Sequence, residues 1–197
     1  IIFAEIVEEI GLPPGVFNLV TGYGPEVGQA LAASPEVGMV SLTGSVNAGI
    51  ATLEAAAKNV TKVALELGGK APAIVMNDAD LDLAVKAIVA SRMINTGQVC
   101  NCTERLYVQE GVYDEVVRRL TAAFNAVSCG DPAQDDTLDM GPLISADALA
   151  RLEHKVAHAV EQGATVVAGG KRKGDRGFFF EPTLLTNVRQ DMAIVRE

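Results

Sequence analysis

Apolar residues along this chain alternate between a three-to-four-residue rhythm and short continuous runs. Ile2, Phe3, Ile6, Val7 and Ile10 recur at helical spacing, and Gly11 stands where a C-terminal cap belongs. Leu12-Pro13-Pro14-Gly15 reads as a turn, and Val16–Val20 as a strand. A helix is expected over about Glu26–Ala33, a strand near Val37–Leu42, a helix from Ser45 toward Lys58, and a strand over Val60–Leu65. Strands alternating with helices in this way predict a parallel sheet flanked by helices.

A second α/β unit follows. Ala73–Met76 is a strand, and the polar run Asn77–Asp80 caps a helix with Leu81, Ala84, Val85, Ile88 and Val89 on one face. Arg105–Gln109 alternates as a strand, and Val112, Val116, Leu120, Phe124 and Val127 mark an amphipathic helix. Ser145 caps another, with Leu149, Leu152, Val156 and Val160 expected inside and Gly163 ending it. Ala164–Ala168 is a strand, Gly169–Gly177 a basic glycine-rich turn, and Phe178–Phe180 extended. The break between the two units is drawn near Gly68-Gly69.

Composition narrows the class. The 197 residues are 49% hydrophobic, enough for a sizeable core and against disorder. A net charge of −9 argues against broad nucleic-acid binding, which needs Lys and Arg on phosphates. It leaves room for an anionic cofactor held by the backbone N–H groups of a helix start. No apolar run reaches the roughly 20 residues of a membrane span. Three cysteines provide no disulfide framework and fit a reducing cytoplasm. The chain begins at Ile1 inside a helical pattern and stops at Glu197 without a cap, so it is expected to be an internal segment of something longer.

Two short stretches carry candidate chemistry. Gly97-Gln98-Val99-Cys100 falls between a helix and a strand, which puts Cys100 on a loop. A thiol there can attack a carbonyl with modest activation, although a small buried hydrophobe is the commoner fate of a free cysteine. Glu66-Leu67-Gly68-Gly69-Lys70 places an acid at the end of a strand. Such a carboxylate can act as a general base beside a ligand, and its two glycines permit a sharp turn or a close approach. The alternative is an ordinary surface acid. Gly22-Tyr23-Gly24-Pro25-Glu26-Val27-Gly28 comes near the dinucleotide fingerprint with one extra residue, and reads equally as a tight strand-to-helix turn.

Taken together, Glu66–Lys70 and Gly97–Cys100 are similar, in order and spacing, to the paired active-site motifs of the aldehyde dehydrogenase superfamily. Gly11-Leu12-Pro13-Pro14-Gly15-Val16-Phe17-Asn18, Thr43-Gly44-Ser45, Gly141-Pro142-Leu143-Ile144 and Pro182-Thr183-Leu184-Leu185 extend the resemblance over the whole chain. It implies an α/β fold, with residues 1–68 the C-terminal part of a Rossmann-like NAD-binding domain. Residues 69–197 would be the N-terminal part of the α/β catalytic domain that carries the thiol. It implies an NAD(P)-dependent enzyme that oxidises a small-molecule aldehyde to a carboxylic acid. Cys100 would be the nucleophile, its own N–H one oxyanion-hole donor, and Glu66 the base that activates water. Relatives that pass the acyl group to coenzyme A generally lack this carboxylate, so its presence favours a free acid as product.

The same resemblance moves the expected pyrophosphate contact from the first glycine run to Gly44 and Ser45, at a helix start. Gln29 is the candidate on the adenine side and Leu67 at the nicotinamide end. NAD is the expected cofactor, with NADP open. Asn101 would line the aldehyde pocket, where its amide could bond a substrate hydroxyl. Gln98-Val99-Cys100-Asn101-Cys102 looks most like the lactaldehyde and glycolaldehyde dehydrogenase branch, which points to a short 2-hydroxyaldehyde, with another semialdehyde as the alternative. Cys102 is given no role. Relatives form dimers or tetramers, so a homo-oligomer in the cytoplasm is expected.

Two rival readings come from other classes. Cys100 and Cys102 with His154 and His158 could form a zinc-binding module, but one residue between the cysteines is shorter than structural zinc sites favour. No metal is therefore expected. The chain could also be a non-catalytic piece that serves only as a fold or oligomer scaffold. The family's oxyanion asparagine and its ribose-binding lysine and glutamate would precede Ile1, and a Glu-x-Phe-Gly-Pro segment would begin at Glu197. On that ground the isolated chain is expected to be inactive.

Overall fold

The computed structural model describes residues 1–196, which fall into two compact units, Ile1–Gly68 and Gly69–Glu197. In the first, α1 (Ile2–Glu9) is followed by a π-helical turn at Gly24–Gly28 that runs into α2 (Gln29–Ala32). Then come β1 (Met39–Gly44), α3 (Val46–Ala57) and β2 (Lys62–Leu67). β1 and β2 pair in parallel, from Met39 opposite Lys62 to Gly44 opposite Leu67, with α3 as the crossover. Ser45 starts α3 by accepting the Ala48 N–H on Oγ at 3.2 Å, the expected cap.

The expected strand Val16–Val20 does not form. These residues are exposed and join no ladder among the described residues, so the sheet of this unit has two strands. An apolar run becomes a strand only where a neighbour accepts its N–H and C=O groups. α1 does form, yet Ile2, Phe3, Ile6 and Ile10 remain exposed, and Phe3 meets Phe17 edge-on at 5.4 Å.

The second unit repeats the strand–helix–strand plan. β3 (Pro72–Val75) and β4 (Arg105–Val108) are parallel, joined through α4 (Leu81–Met93). Asp80 caps α4 by accepting from Asp82 and Leu83 N–H at 3.0 and 3.1 Å. α5 (Tyr113–Ala126) buries Val116, Leu120 and Phe124 against Val75, Ile88 and Met93, as its periodicity predicts. α6 (Ala146–Glu161), capped by Ser145, buries Leu149 and Val156. Val160 is exposed and Ala159 takes the inner position instead. The helical stripe has turned by one residue, which brings Ala159 against Met192 and Val195. β5 (Thr165–Ala168) and β6 (Leu184–Thr186) are antiparallel, and α7 (Ala193–Arg196) ends the described chain.

Candidate active site

The first unit assembles one group of candidates. In the β1–β2 register Thr43 faces Glu66 and Gly44 faces Leu67, and Gly68 N–H bonds Gly44 C=O at 3.2 Å. Gly44, Ser45, Glu66 and Leu67 therefore stand together at the C-terminal ends of two adjacent parallel strands. That edge is where open α/β sheets receive ligands. Glu66 is exposed and Leu67 half-buried. Leu67 reaches over α3 onto Gly49, where a Cβ would come within 2.9 Å of its Cδ2, so the glycine lets helix and strand approach.

Ser45 Oγ occupies the Ala48 N–H, and its carbonyl takes the Gly49 N–H. The Val46 and Asn47 N–H groups in the first turn of α3 precede any intrahelical partner. Such donors beside a residue without Cβ suit the pyrophosphate of a dinucleotide. The earlier glycine run leads into the π-helical turn with no strand before it among the described residues, and Glu26 and Val27 N–H both bond Tyr23 C=O. Gln29 sits exposed at the first position of the four-residue α2. Gly68 and Gly69 make no left-handed turn, and an added Cβ on either meets nothing within 4 Å.

The second unit holds Cys100 on the loop between α4 and β4. Before it, Asn95, Thr96 and Gly97 have φ of 46°, 59° and 73°, a left-handed turn. Left-handed backbone costs an L-residue roughly 1–2 kcal/mol, and a β-branched one such as threonine is a true outlier there. A second turn then runs from Val99 to Cys102, closed by Cys102 N–H on Val99 C=O at 3.3 Å. Cys100 and Asn101 form its exposed tip. No acceptor among the described residues takes the Cys100 N–H, the expected oxyanion donor.

Cys102 is fixed inside, 2% exposed. Its thiol donates to Gly97 C=O at 3.0 Å and accepts from Arg92 Nη1 at 3.3 Å. This anchoring went unseen in the sequence, because Arg92 lies on α4 with nothing nearby to mark it. Arg92 also faces Glu104 at 3.9 Å, and Glu104 meets Lys70 at 2.5 Å. Lys70, from the Glu66–Lys70 motif, thus ties the start of β3 to the far end of the cysteine loop. The third thiol, Cys129, is buried in the main core, and burial pushes it up.

The zinc arrangement does not assemble. Cys102 Sγ is engaged by Arg92 and Gly97, while the His154 and His158 rings lie parallel at 6.1 Å on α6. Among the described residues no three His, Cys, Asp or Glu side chains group as metal ligands. None of the described helices is long and apolar enough to cross a membrane.

Known proteins match this geometry. The chain is 63% identical over its full length to lactaldehyde dehydrogenase of Escherichia coli (strain K12), covering 41% of that protein. It superposes on the crystal structure of the E. coli lactaldehyde dehydrogenase with a TM-score of 0.96, over 98% of this chain and 41% of that one. A 3,6-anhydro-L-galactose dehydrogenase in complex with NAP is 50% identical, with a TM-score of 0.93 over 97% of this chain and 41% of that one. Betaine aldehyde dehydrogenase of Staphylococcus aureus in complex with NAD+ is 39% identical, with a TM-score of 0.93 over 98% and 39%. The chain therefore spans about two-fifths of the length of the relatives it matches. The aldehyde dehydrogenase family model matches residues 1–197, and with the α/β fold in agreement the chain belongs to the aldehyde dehydrogenase family.

Proposed function

We propose that this chain carries the nucleophile and the base of an NAD(P)-dependent aldehyde dehydrogenase that oxidises a short 2-hydroxyaldehyde, such as lactaldehyde or glycolaldehyde, to its acid. The observation that carries the reading is Cys100 at the exposed tip of a doubly anchored loop, on a chain 63% identical to a lactaldehyde dehydrogenase. Residues 1–68 are assigned to the cofactor domain and 69–197 to the catalytic domain. Val46 and Asn47 N–H, with Gly44 and Ser45, would hold the pyrophosphate, Leu67 would meet the nicotinamide end, and Gln29 the adenine side. When bound, the nicotinamide accepts a hydride from the substrate carbon.

The chain's own groups do the rest. The Cys100 thiolate forms an S–C bond to the aldehyde carbon, and the carbonyl π pair moves to oxygen as an alkoxide. The Cys100 N–H stabilises that charge. The alkoxide re-forms its carbonyl as hydride departs, leaving a thioester. Glu66 takes a proton from water, the hydroxide adds to the thioester carbon, and the C–S bond breaks to return the thiolate and release the acid. Asn101, beside Cys100 at the tip, would bond the substrate's 2-hydroxyl.

NAD is favoured, with relatives in complex with NAD+ and with NAP both among the structural neighbours. A homo-oligomer in the cytoplasm completes the proposal. A second reading, a scaffold without turnover of its own, rests on the chain spanning only about two-fifths of its relatives. The test uses the whole enzyme containing this chain. Cys100→Ala should abolish aldehyde-dependent NADH formation, and Glu66→Gln should let a thioester accumulate that mass spectrometry finds on Cys100. Full activity in Cys100→Ala would overturn the proposal. A panel of aldehydes identifies the substrate, and turnover by the isolated 197 residues would reject the scaffold reading.

A further inference from the structure

Gln98 ties the nucleophile loop to a segment distant in sequence. Its Oε1 accepts the Ile144 N–H at 2.9 Å, and its Nε2 donates to Pro142 C=O at 3.4 Å and to Asn95 C=O at 3.2 Å. Its own N–H reaches the same Asn95 carbonyl at 3.1 Å. Thr96 Oγ1 adds a bond to Gly141 C=O at 3.2 Å. What Gly141–Ile144 offers the loop is backbone, since the Ile144 side chain is 81% exposed.

The bonds fall where the chain is least able to hold itself. Asn95 and Thr96 sit in left-handed backbone, and a β-branched residue leaves that region unless its surroundings hold it there. Thr96 and Gln98 supply the hold on one side of the Val99–Cys102 turn. Cys102 and Arg92 supply it on the other.

We infer that Gln98, seconded by Thr96, is the positioning residue for Cys100: its side-chain amide locks the left-handed turn to Gly141–Ile144 and so aims the thiol. This rests on the reading of Cys100 as the nucleophile. Gln98 acts through the turn and touches no substrate. Aiming errors of about 1 Å lower rates by up to ~10²-fold while binding persists.

The test is made in the whole enzyme with two readouts, steady-state kinetics and the rate at which iodoacetamide alkylates Cys100. Gln98→Ala should lower kcat and the alkylation rate by about ten- to a hundredfold, with little change in KM for the aldehyde. Gln98→Glu keeps the acceptor for Ile144 N–H but, when ionised, has no donor for Pro142 C=O. Its alkylation rate relative to wild type should therefore rise as pH falls through the carboxyl range. Thr96→Ser should behave as wild type and Thr96→Val should resemble Gln98→Ala, which decides the matter if Gln98→Ala fails to fold. Unchanged kcat and labelling in Gln98→Ala, or in Thr96→Val, would overturn the inference. Activity surviving in Cys100→Ala would sink the nucleophile assignment instead, while the labelling rates would still judge Gln98.

Discussion

Arg92 donates from Nη1 to the buried Sγ of Cys102 at 3.3 Å, two residues beyond the exposed Cys100. The pair closes the second side of the loop that carries Cys100, because the same thiol donates to Gly97 C=O. A larger residue at Gly97 would be strained at its φ of 73° and would displace the Arg92 guanidinium, which an added Cβ would meet at 2.6 Å. Cys102→Ala removes a buried thiol and leaves both the guanidinium and the carbonyl without that partner. A loss of about 1–3 kcal/mol is expected, from the cavity and the orphaned polar groups together. Calorimetry of the whole enzyme should show a lower Tm for Cys102→Ala. An unchanged Tm would mean that the Arg92 bond contributes nothing.

The three thiols should separate cleanly by reactivity. Cys100 is exposed, Cys102 and Cys129 are buried, and burial raises the Cys129 thiol further, opposed by Lys173. Thiolate is the reactive form, so an inaccessible thiol pushed upward reacts last. Brief iodoacetamide treatment of the native chain, followed by peptide mapping, should label Cys100 alone. Full labelling of all three is expected only in denaturant. Early modification of Cys129 would contradict the packing of the main core.

Much of this was legible in advance, and the failures share a cause. The buried faces of α4 and α5 follow from periodicity, because Ile88, Val116, Leu120 and Phe124 need only a helix to fall on one side. The caps at Ser45, Asp80 and Ser145 were equally local. Val16–Val20 misled because a strand is defined by a partner, and no spacing within five residues supplies one. Cys102 and Gln98 were opaque for the same reason, their partners being Arg92 and the backbone 46 residues away at Ile144. Asn95, two residues before Gly97, could have hinted at left-handed backbone, since asparagine tolerates it. Nothing local marks Thr96. At the proposed cofactor edge, the motif residues were visible, but their alignment at Thr43–Glu66 and Gly44–Leu67 required the register of the sheet.

That alignment makes Gly49 a lever on Leu67. An added Cβ would stand 2.9 Å from Leu67 Cδ2 and 3.5 Å from Leu65 Cδ1, both ends of flexible side chains. Alanine gains about 1 kcal/mol of helix propensity over glycine inside α3. Repacking Leu67 offsets that gain, so Gly49→Ala should leave Tm nearly unchanged. Leu67 must shift away from α3, however, and KM for the dinucleotide should rise while KM for the aldehyde stays put. Gly49→Val has no such escape and should lower Tm. A Gly49→Ala enzyme with unaltered dinucleotide KM would remove Leu67 from the cofactor site.

Acid should act on α5 through Glu115. Its carboxylate takes two bonds from Arg118, at 2.8 and 2.7 Å, and one from Arg119 at 2.6 Å. Arg119 also reaches Asp82 on α4 at 2.5 Å, so the cluster links two helices that pack together in the main core. The Arg118 and then Arg119 hydrogen bonds hold the Glu115 carboxyl down to about 2, from an ordinary 4.5. A carboxylate lowered in the folded state adds stability that is complete above its unfolded value. That contribution fades as pH drops from about 4.5 and is gone once the folded group protonates near 2. Because the cluster is solvated, the benefit is modest and shrinks with salt. Glu115→Gln should therefore have a lower Tm than wild type at pH 6 in low salt, and the gap should close by pH 2. A gap that persisted undiminished at pH 2 would show that Glu115 stabilises α5 by packing and not by charge.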